Sequence, residues 1–415
     1  MAPLRPNGAA ARCYSPLTPE SIIMGFFSGR VTYSRFRVAG PSPGLFGPEH
    51  LDRLAAHAIG RQRIATADGI EAGWIAGDHI LDTAFDLAKN IVNDTLHFAL
   101  RLDVQKIPSD LLRAYTMVEL QALAEGNPSG RPSIRQRREA RQAARDRLEA
   151  EAADGRFLHR KACPVLWDAL ANELLVGSTA ASVLDRLHPL FVHTFGRGFE
   201  PLTAGRLAFS LAEPRQQTRG VDDASLSPFL GAASPAEVAW LPDADNRDFV
   251  GNEFLLWLWY YLDAEDDTIP LADGSEVTVM LARTLVLECP RGQTGRQSIT
   301  SDGPARLPEA RRALQAGKLP RRAGLILVRH DEQYELTLQA ETLAVSGARL
   351  PAVEGDSDRA RLEERVAQLR RLRETFDLLY DAFGQRRFGS DWAKELIKIQ
   401  KWLQHDDRAR FSATA

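Results

Sequence analysis

The chain has 415 residues, 44% hydrophobic and 26% charged, a composition that excludes a disordered protein and fits a globular one. That length exceeds one sealed core, so two or more packed regions are expected. A formal charge of −3 excludes nucleic-acid binding through bulk positive charge, so a nucleic-acid partner requires basic residues gathered locally.

Residues 1–23 hold no apolar stretch of signal-peptide length and are expected to form a loose extension. From Met24 the β-formers Phe26, Phe27, Val31, Tyr33, Phe36 and Val38 predict an opening strand, and the turn-rich stretch Pro41 to Pro48 ends it. Leu51, Leu54, Ala55 and Ile59 recur at helical spacing over residues 49–59. Between Leu96 and Asp103 apolar and polar residues alternate, which predicts a half-buried strand with His97, Arg101 and Asp103 on its polar side. A helix follows from the capping Ser109 to about Ala124, and Asn127 to Pro132 interrupts it. Ser133 to Ala153 is rich in Ala, Arg, Glu and Gln, the residues of a long exposed helix.

Val165 to Trp167 and Glu173 to Val176 read as a hairpin, followed by a helix capped at Ser178 or Thr179 and carrying Val183, Leu184, Leu187 and Leu190. Strand, strand, helix is an α+β pattern. Residues 213–248 are dense in Pro, Asp, Ser and Gly, so a boundary is placed near Leu202 to Arg219, dividing 24–205 from 206–415. The apolar run Phe254 to Leu262 is about half the length of a membrane span. It is core or interface, and no membrane partner is expected. Strands are predicted over Glu276 to Cys289, Ala323 to Arg329 and Tyr334 to Gln339. Leu362, Val366, Leu369, Phe376, Tyr380 and Phe383 then mark a terminal helix with Arg373 in its one polar slot, and Trp392, Leu396, Ile399 and Leu403 mark a second.

Positive charge collects in two places. Arg131 to Lys161 holds ten Lys or Arg against five Asp or Glu, about +5, which leaves about −8 for the rest of a chain at −3. On the predicted helix Arg138, Arg141 and Arg145 fall at i, i+3 and i+7, one face about 10 Å long, suited to successive phosphates. Arg306 to Arg329 holds seven cations against Glu309, with Lys318, Arg321 and Arg322 just before a predicted strand. A solvated helix face and a soluble loop explain the same charges without a ligand.

Support for an enzyme is thin. Three widely separated cysteines suit a reducing compartment, and the chain has no phosphate-cradling glycine loop and no zinc-protease motif. His188 and His193 are read as ordinary core or surface residues. The groups Asp243-Ala-Asp245 and Glu265-Asp-Asp267 leave a metal-dependent nuclease as a minor alternative. No catalytic residue, metal or cofactor is expected.

The order of these features resembles the recombination-associated protein RdgC family. The resemblance rests on the opening strand, Gly73-Trp74 with Gly77, Lys106-Ile-Pro-Ser109, the basic helix and Arg160-Lys-Ala-Cys-Pro164. It continues through Trp167-Asp168, Asn172, Leu174, Val176, Ser178, the helix Ala180 to Leu190 and Glu200-Pro-Leu202. Ala316-Gly-Lys-Leu319, Leu325 to Val328, Tyr334 to Leu338 and Leu350-Pro351 extend it more loosely. The resemblance implies an elongated α+β subunit with antiparallel sheets and flanking helices that pairs with its twin as a ring-shaped homodimer. It also implies non-specific binding of double-stranded DNA, antagonism of RecA, and a cytoplasmic, nucleoid-associated location. The charge clusters themselves nominate Arg138, Arg141, Arg145, Lys318, Arg321 and Arg322 for phosphate contact. The alternative is a structural or interaction protein that assembles through the Leu255 to Trp259 strip and the terminal helix.

Overall fold

A computed structural model of the protein describes residues 25–61, 70–125, 131–153, 155–230, 238–241, 246–353 and 355–405. The expected extension 1–23 and the pair Asp243 and Asp245 lie outside them.

In chain order the first half comprises β1 (Val31–Val38), α1 (Pro48–Ala56), β2 (Ile70–Ile75), α2 (Leu87–Asn90), β3 (Ile91–Val92) and β4 (Thr95–Gln105). Then come α3 (Ser109–Glu125), α4 (Ile134–Ala152), β5 (Leu158–Asp168), β6 (Glu173–Val176), α5 (Ala181–Phe195) and β7 (Phe199–Pro201). The second half comprises α6 (Ala204–Ala212), α7 (Thr218–Asp222), α8 (Phe249–Ala264), β8 (Thr268–Pro270), β9 (Glu276–Glu288) and β10 (Gln297–Ser301). It ends with α9 (Pro308–Gln315), β11 (Leu319–Arg329), β12 (Glu332–Gln339), β13 (Val345–Arg349), α10 (Asp358–Arg387) and α11 (Trp392–Gln404).

Every strand ladder among the described residues is antiparallel, so the fold is α+β. The strands run β10-β9-β11-β12-β13-β1-β6-β5-β4-β2. β1 is the splice between the two wings. Its first residues pair with β13, Val31 opposite Ala348, and its later ones pair with β6, Phe36 opposite Leu174. Both faces of β1 are covered, and Val31, Tyr33, Phe36 and Val38 are all buried.

Two cores lie on this sheet. One gathers Phe36, Trp74, Phe98, Trp167, Phe191 and Phe195 between the N-terminal wing and helices α1 and α5. The other gathers α8, α10 and α11 against the C-terminal wing, and it also takes in Phe26, Val31 and Tyr33. Burying a side chain of this size contributes about 1.5–3 kcal/mol, so these aromatic clusters dominate the energetics.

The apolar strip is the centre of α8, and every residue from Phe249 to Tyr261 is buried. A helix apolar all round has no solvent face to offer, which explains its position. Assembly through Leu255 to Trp259 is therefore corrected: Leu255, Trp257 and Leu258 are at most 1% exposed inside this chain's own core. The terminal helix is consumed in the same way, with Phe376, Tyr380 and Phe383 around Phe254.

The half-buried strand is also corrected. β4 is buried on both faces from Thr95 to Asp103, because its polar side chains are absorbed internally. Arg101 donates to both carboxylate oxygens of Asp103 at 2.7 and 2.6 Å, and His97 packs edge-on against Phe27 at 4.4 Å. Neither Ser178 nor Thr179 caps α5: its N-cap is Ala180, and the Ser178 hydroxyl accepts from the Ala180 N–H instead. No helix among the described residues is long and apolar enough to cross a membrane.

Candidate nucleic-acid interface

β4 and β5 pair along their whole length, from Thr95 opposite Asp168 to Gln105 opposite Leu158. Where a β-hairpin would turn, the chain instead sends out the helix pair α3 and α4. The two helices pack chiefly on each other. Ala140, Ala144, Leu148 and Ala152 form an i, i+4 stripe of small and apolar residues that seats α4 on α3, and α3 itself has no fully buried residue. The pair is thus an arm projecting from the end of two strands. Ser133 starts α4 with a reciprocal capping box, its hydroxyl accepting from the Gln136 N–H while the Gln136 carboxamide accepts from Ser133 N–H. Tyr115 ties the helices by donating to Glu151 at 2.9 Å, under the Arg147 guanidinium 4.4 Å from its ring.

Arg138, Arg141 and Arg145 are all exposed on one side of this arm. Neighbouring charges cancel locally: Arg135 pairs with Glu139 at 2.8 Å and Arg147 with Glu151 at 3.6 Å. The three predicted residues keep their charge, with no carboxylate within ion-pair distance among the described residues. At 1.5 Å rise per residue the row spans about 10 Å, or roughly three phosphate steps of one DNA strand. Sequence reasoning passed over Arg137, exposed on the same helix, and the base of the arm, where Lys106, His159, Arg160 and Lys161 are exposed. The charge count takes in Arg137, Arg160 and Lys161, but a helix-period search selects the 138, 141 and 145 face alone and does not register His159, Arg160 and Lys161, which belong to β5.

The second concentration disperses. Arg321 donates to Glu341 at 2.7 Å and Glu288 at 2.9 Å and covers the Trp240 ring at 4.5 Å, so its charge is matched internally. Arg329 is buried against Asp273, and Arg311 is buried with Asp263 at 3.5 Å. Arg322 is half-buried and donates to the Gln339 carboxamide at 3.1 Å, while Lys318 is half-buried beside Gln297 at 3.5 Å. Only Arg306 and Arg312 of that stretch are fully exposed. β11 and β5 stand five strand steps apart in the sheet, about 24 Å at ~4.8 Å per step, so one chain does not bring the two clusters together.

Glu265 accepts from Tyr260 at 2.8 Å, and Asp266 accepts from the Thr268 N–H, so the acidic triplet serves local structure. Among the described residues no three His, Cys, Asp or Glu side chains are grouped to hold a metal. His188 packs on Phe199 and His193 on His57. No family model matches the chain, and no curated protein matches it.

Proposed function

We propose that this protein binds double-stranded DNA without reading sequence, through the projecting arm of α3 and α4, and that it acts as a homodimer closing around the duplex. The observation that carries the reading is the row Arg138, Arg141 and Arg145: three exposed guanidiniums with no carboxylate partner among the described residues, on a rigid rod, in a chain whose remaining charge is negative. Guanidinium forks suit phosphate oxygens, and backbone contact needs no base-reading group. Lys318 and Arg322 are secondary contacts. Arg321, matched by two carboxylates, is left out of the set.

Because the clusters occupy opposite wings, a second copy related by a two-fold axis is the means of presenting both to one duplex. The resemblance to the RdgC family supports that geometry, together with occlusion of DNA from RecA and a cytoplasmic, nucleoid-associated location. Topological closure slows escape, so a few salt-dependent contacts suffice.

The test is binding of random-sequence duplex at several salt concentrations by wild type and by a variant carrying Arg138→Glu, Arg141→Glu and Arg145→Glu. Wild type should bind, and the variant should lose at least a hundredfold in affinity with its melting curve unchanged. Equal affinity at low salt overturns the assignment. For closure, complexes on a closed circular plasmid should resist a salt challenge until the plasmid is cut. Equal loss from circle and linear DNA overturns the ring.

A further inference from the structure

Away from the arm, a cavity of about 190 Å³ opens where α8, α9 and α11 meet the start of β11. Phe229, Leu256, Leu314 and Leu403 form an apolar part of its wall, and Ser227, Arg291, Gln293 and Lys318 form a polar part. A cavity of about 150 Å³ with apolar walls already takes a molecule the size of benzene, so this one has room for a short hydrocarbon chain.

Lys318 lines the same cavity. The residue is half-buried, its one described partner is the neutral Gln297 carboxamide at 3.5 Å, and no carboxylate pairs with it among the described residues. A cation partly withdrawn from water without a counter-ion bears a desolvation cost that an anion would relieve. An apolar chamber beside such a cation is complementary to an amphipathic anion.

We propose that this cavity binds a medium-chain carboxylate, its hydrocarbon tail among Phe229, Leu256, Leu314 and Leu403 and its carboxylate on Lys318. The site is separate from the arginine row on α4 but takes up Lys318, so a bound carboxylate withdraws that one secondary cation from the duplex and leaves the row itself untouched; octanoate binding is therefore measured without DNA.

Cys289 also lines the cavity and provides the reporter. Burial acts to raise its thiol, but backbone N–H groups of Arg291, Gln293 and Thr294 and the Thr294 side chain outweigh it, leaving the thiol below its ordinary value. Cys163 is buried elsewhere, with its thiol pushed up to about 12 by desolvation, so it stays inert beside Cys289.

The probe is octanoate, with octanol as its neutral counterpart, titrated calorimetrically into the full-length protein. Iodoacetamide labelling of Cys289 is followed in parallel by peptide mapping. Octanoate should bind saturably and slow Cys289 labelling at least tenfold. Lys318→Met should weaken octanoate at least tenfold while leaving octanol within twofold. Leu230→Trp, at the partly exposed rim, should block both ligands and keeps the test decisive should one variant fold poorly. The proposal is overturned by absence of saturable octanoate binding, by binding that leaves Cys289 labelling unchanged, or by equal octanoate affinity in Lys318→Met.

Discussion

Arg370 grips Asp168 with two hydrogen bonds, Nε to Oδ2 at 3.0 Å and Nη2 to Oδ1 at 2.9 Å, across 202 residues of sequence. Arg373, one turn further along α10, adds a third bond to the same carboxylate at 3.0 Å. Nearby Arg35 joins Glu173 to Asp377, so the turn between β5 and β6 is fastened to α10 by a partly buried network. This lattice binds the two wings together where β1 crosses between them.

Asp168→Asn should destabilise the protein by about 3–5 kcal/mol, because it leaves two guanidiniums against a neutral group in a site where the side chain is 2% exposed. Burial acts to raise the Asp168 carboxyl, but Arg370 and Arg373 outweigh it, and the group ionises below its ordinary 3.8. The folded value lies below the unfolded one, so this contribution is present above about pH 4 and lost as pH falls further. Urea melts at pH 7 and pH 3 should therefore differ less for Asp168→Asn than for wild type. An unchanged wild-type stability at pH 3 would contradict the role given to the carboxylate.

His97 governs a different window. Burial, and secondarily the positive charge of Lys89, hold its imidazole down at about 3 from an ordinary 6.5. The unfolded chain takes up this proton while the folded chain does not, so stability is intact above pH 6.5 and falls toward pH 3. The slope is about 1.4 kcal/mol per pH unit for the one proton. His97→Phe should flatten the stability profile between pH 6 and pH 4 while leaving the steeper decline below. Hydrogen-exchange or urea titrations over that range decide it, and an identical slope in the variant defeats the prediction.

His97 also shows where the sequence was legible and where it was not. The alternation from Leu96 to Asp103 identifies the strand, since period two is a local property. It does not reveal that the polar side is covered by Phe27 and the chain near Gly77, because that cover comes from distant segments. The α4 helix and its arginine row are local and were readable in the same way. The pairing of Arg321 with Glu288 and Glu341 was not, as its partners lie 33 and 20 residues away, at the end of β9 and in the turn after β12. Charge counting therefore marked the second cluster as free when much of it is matched. The short strands β2, β10 and β13 escaped notice because they are defined by their neighbours rather than by their own periodicity.

That difference between matched and unmatched arginines has a measurable form. Arg141→Ala should reduce the slope of log affinity for duplex against log salt by about 0.9 and leave stability within about 0.5 kcal/mol. Arg321→Ala should leave the slope unchanged and lower stability by about 2–3 kcal/mol, since Glu341 is buried and loses its charge partner. Salt titrations and thermal melts of the two variants should show opposite patterns. A reduced slope for Arg321→Ala would restore that residue to the DNA-contact set.

Two helical glycines should respond to alanine with opposite signs. In α8, a Cβ on Gly251 would stand 1.9 Å from the Ala340 carbonyl oxygen and 2.6 Å from its carbon. Backbone at the end of β12 cannot swing aside, so the helix must back away from the sheet and disturb the packing of Phe254 and Trp257 behind it. Gly251→Ala should therefore cost about 1–3 kcal/mol. In α10, a Cβ on Gly384 meets nothing nearer than the Phe388 ring at 3.8 Å, an ordinary contact. There the gain in helix propensity should dominate, and Gly384→Ala should stabilise by up to about 1 kcal/mol. Urea midpoints moving in the same direction for both variants would mean that the close seat of α8 on Ala340 does not govern the position of the apolar run.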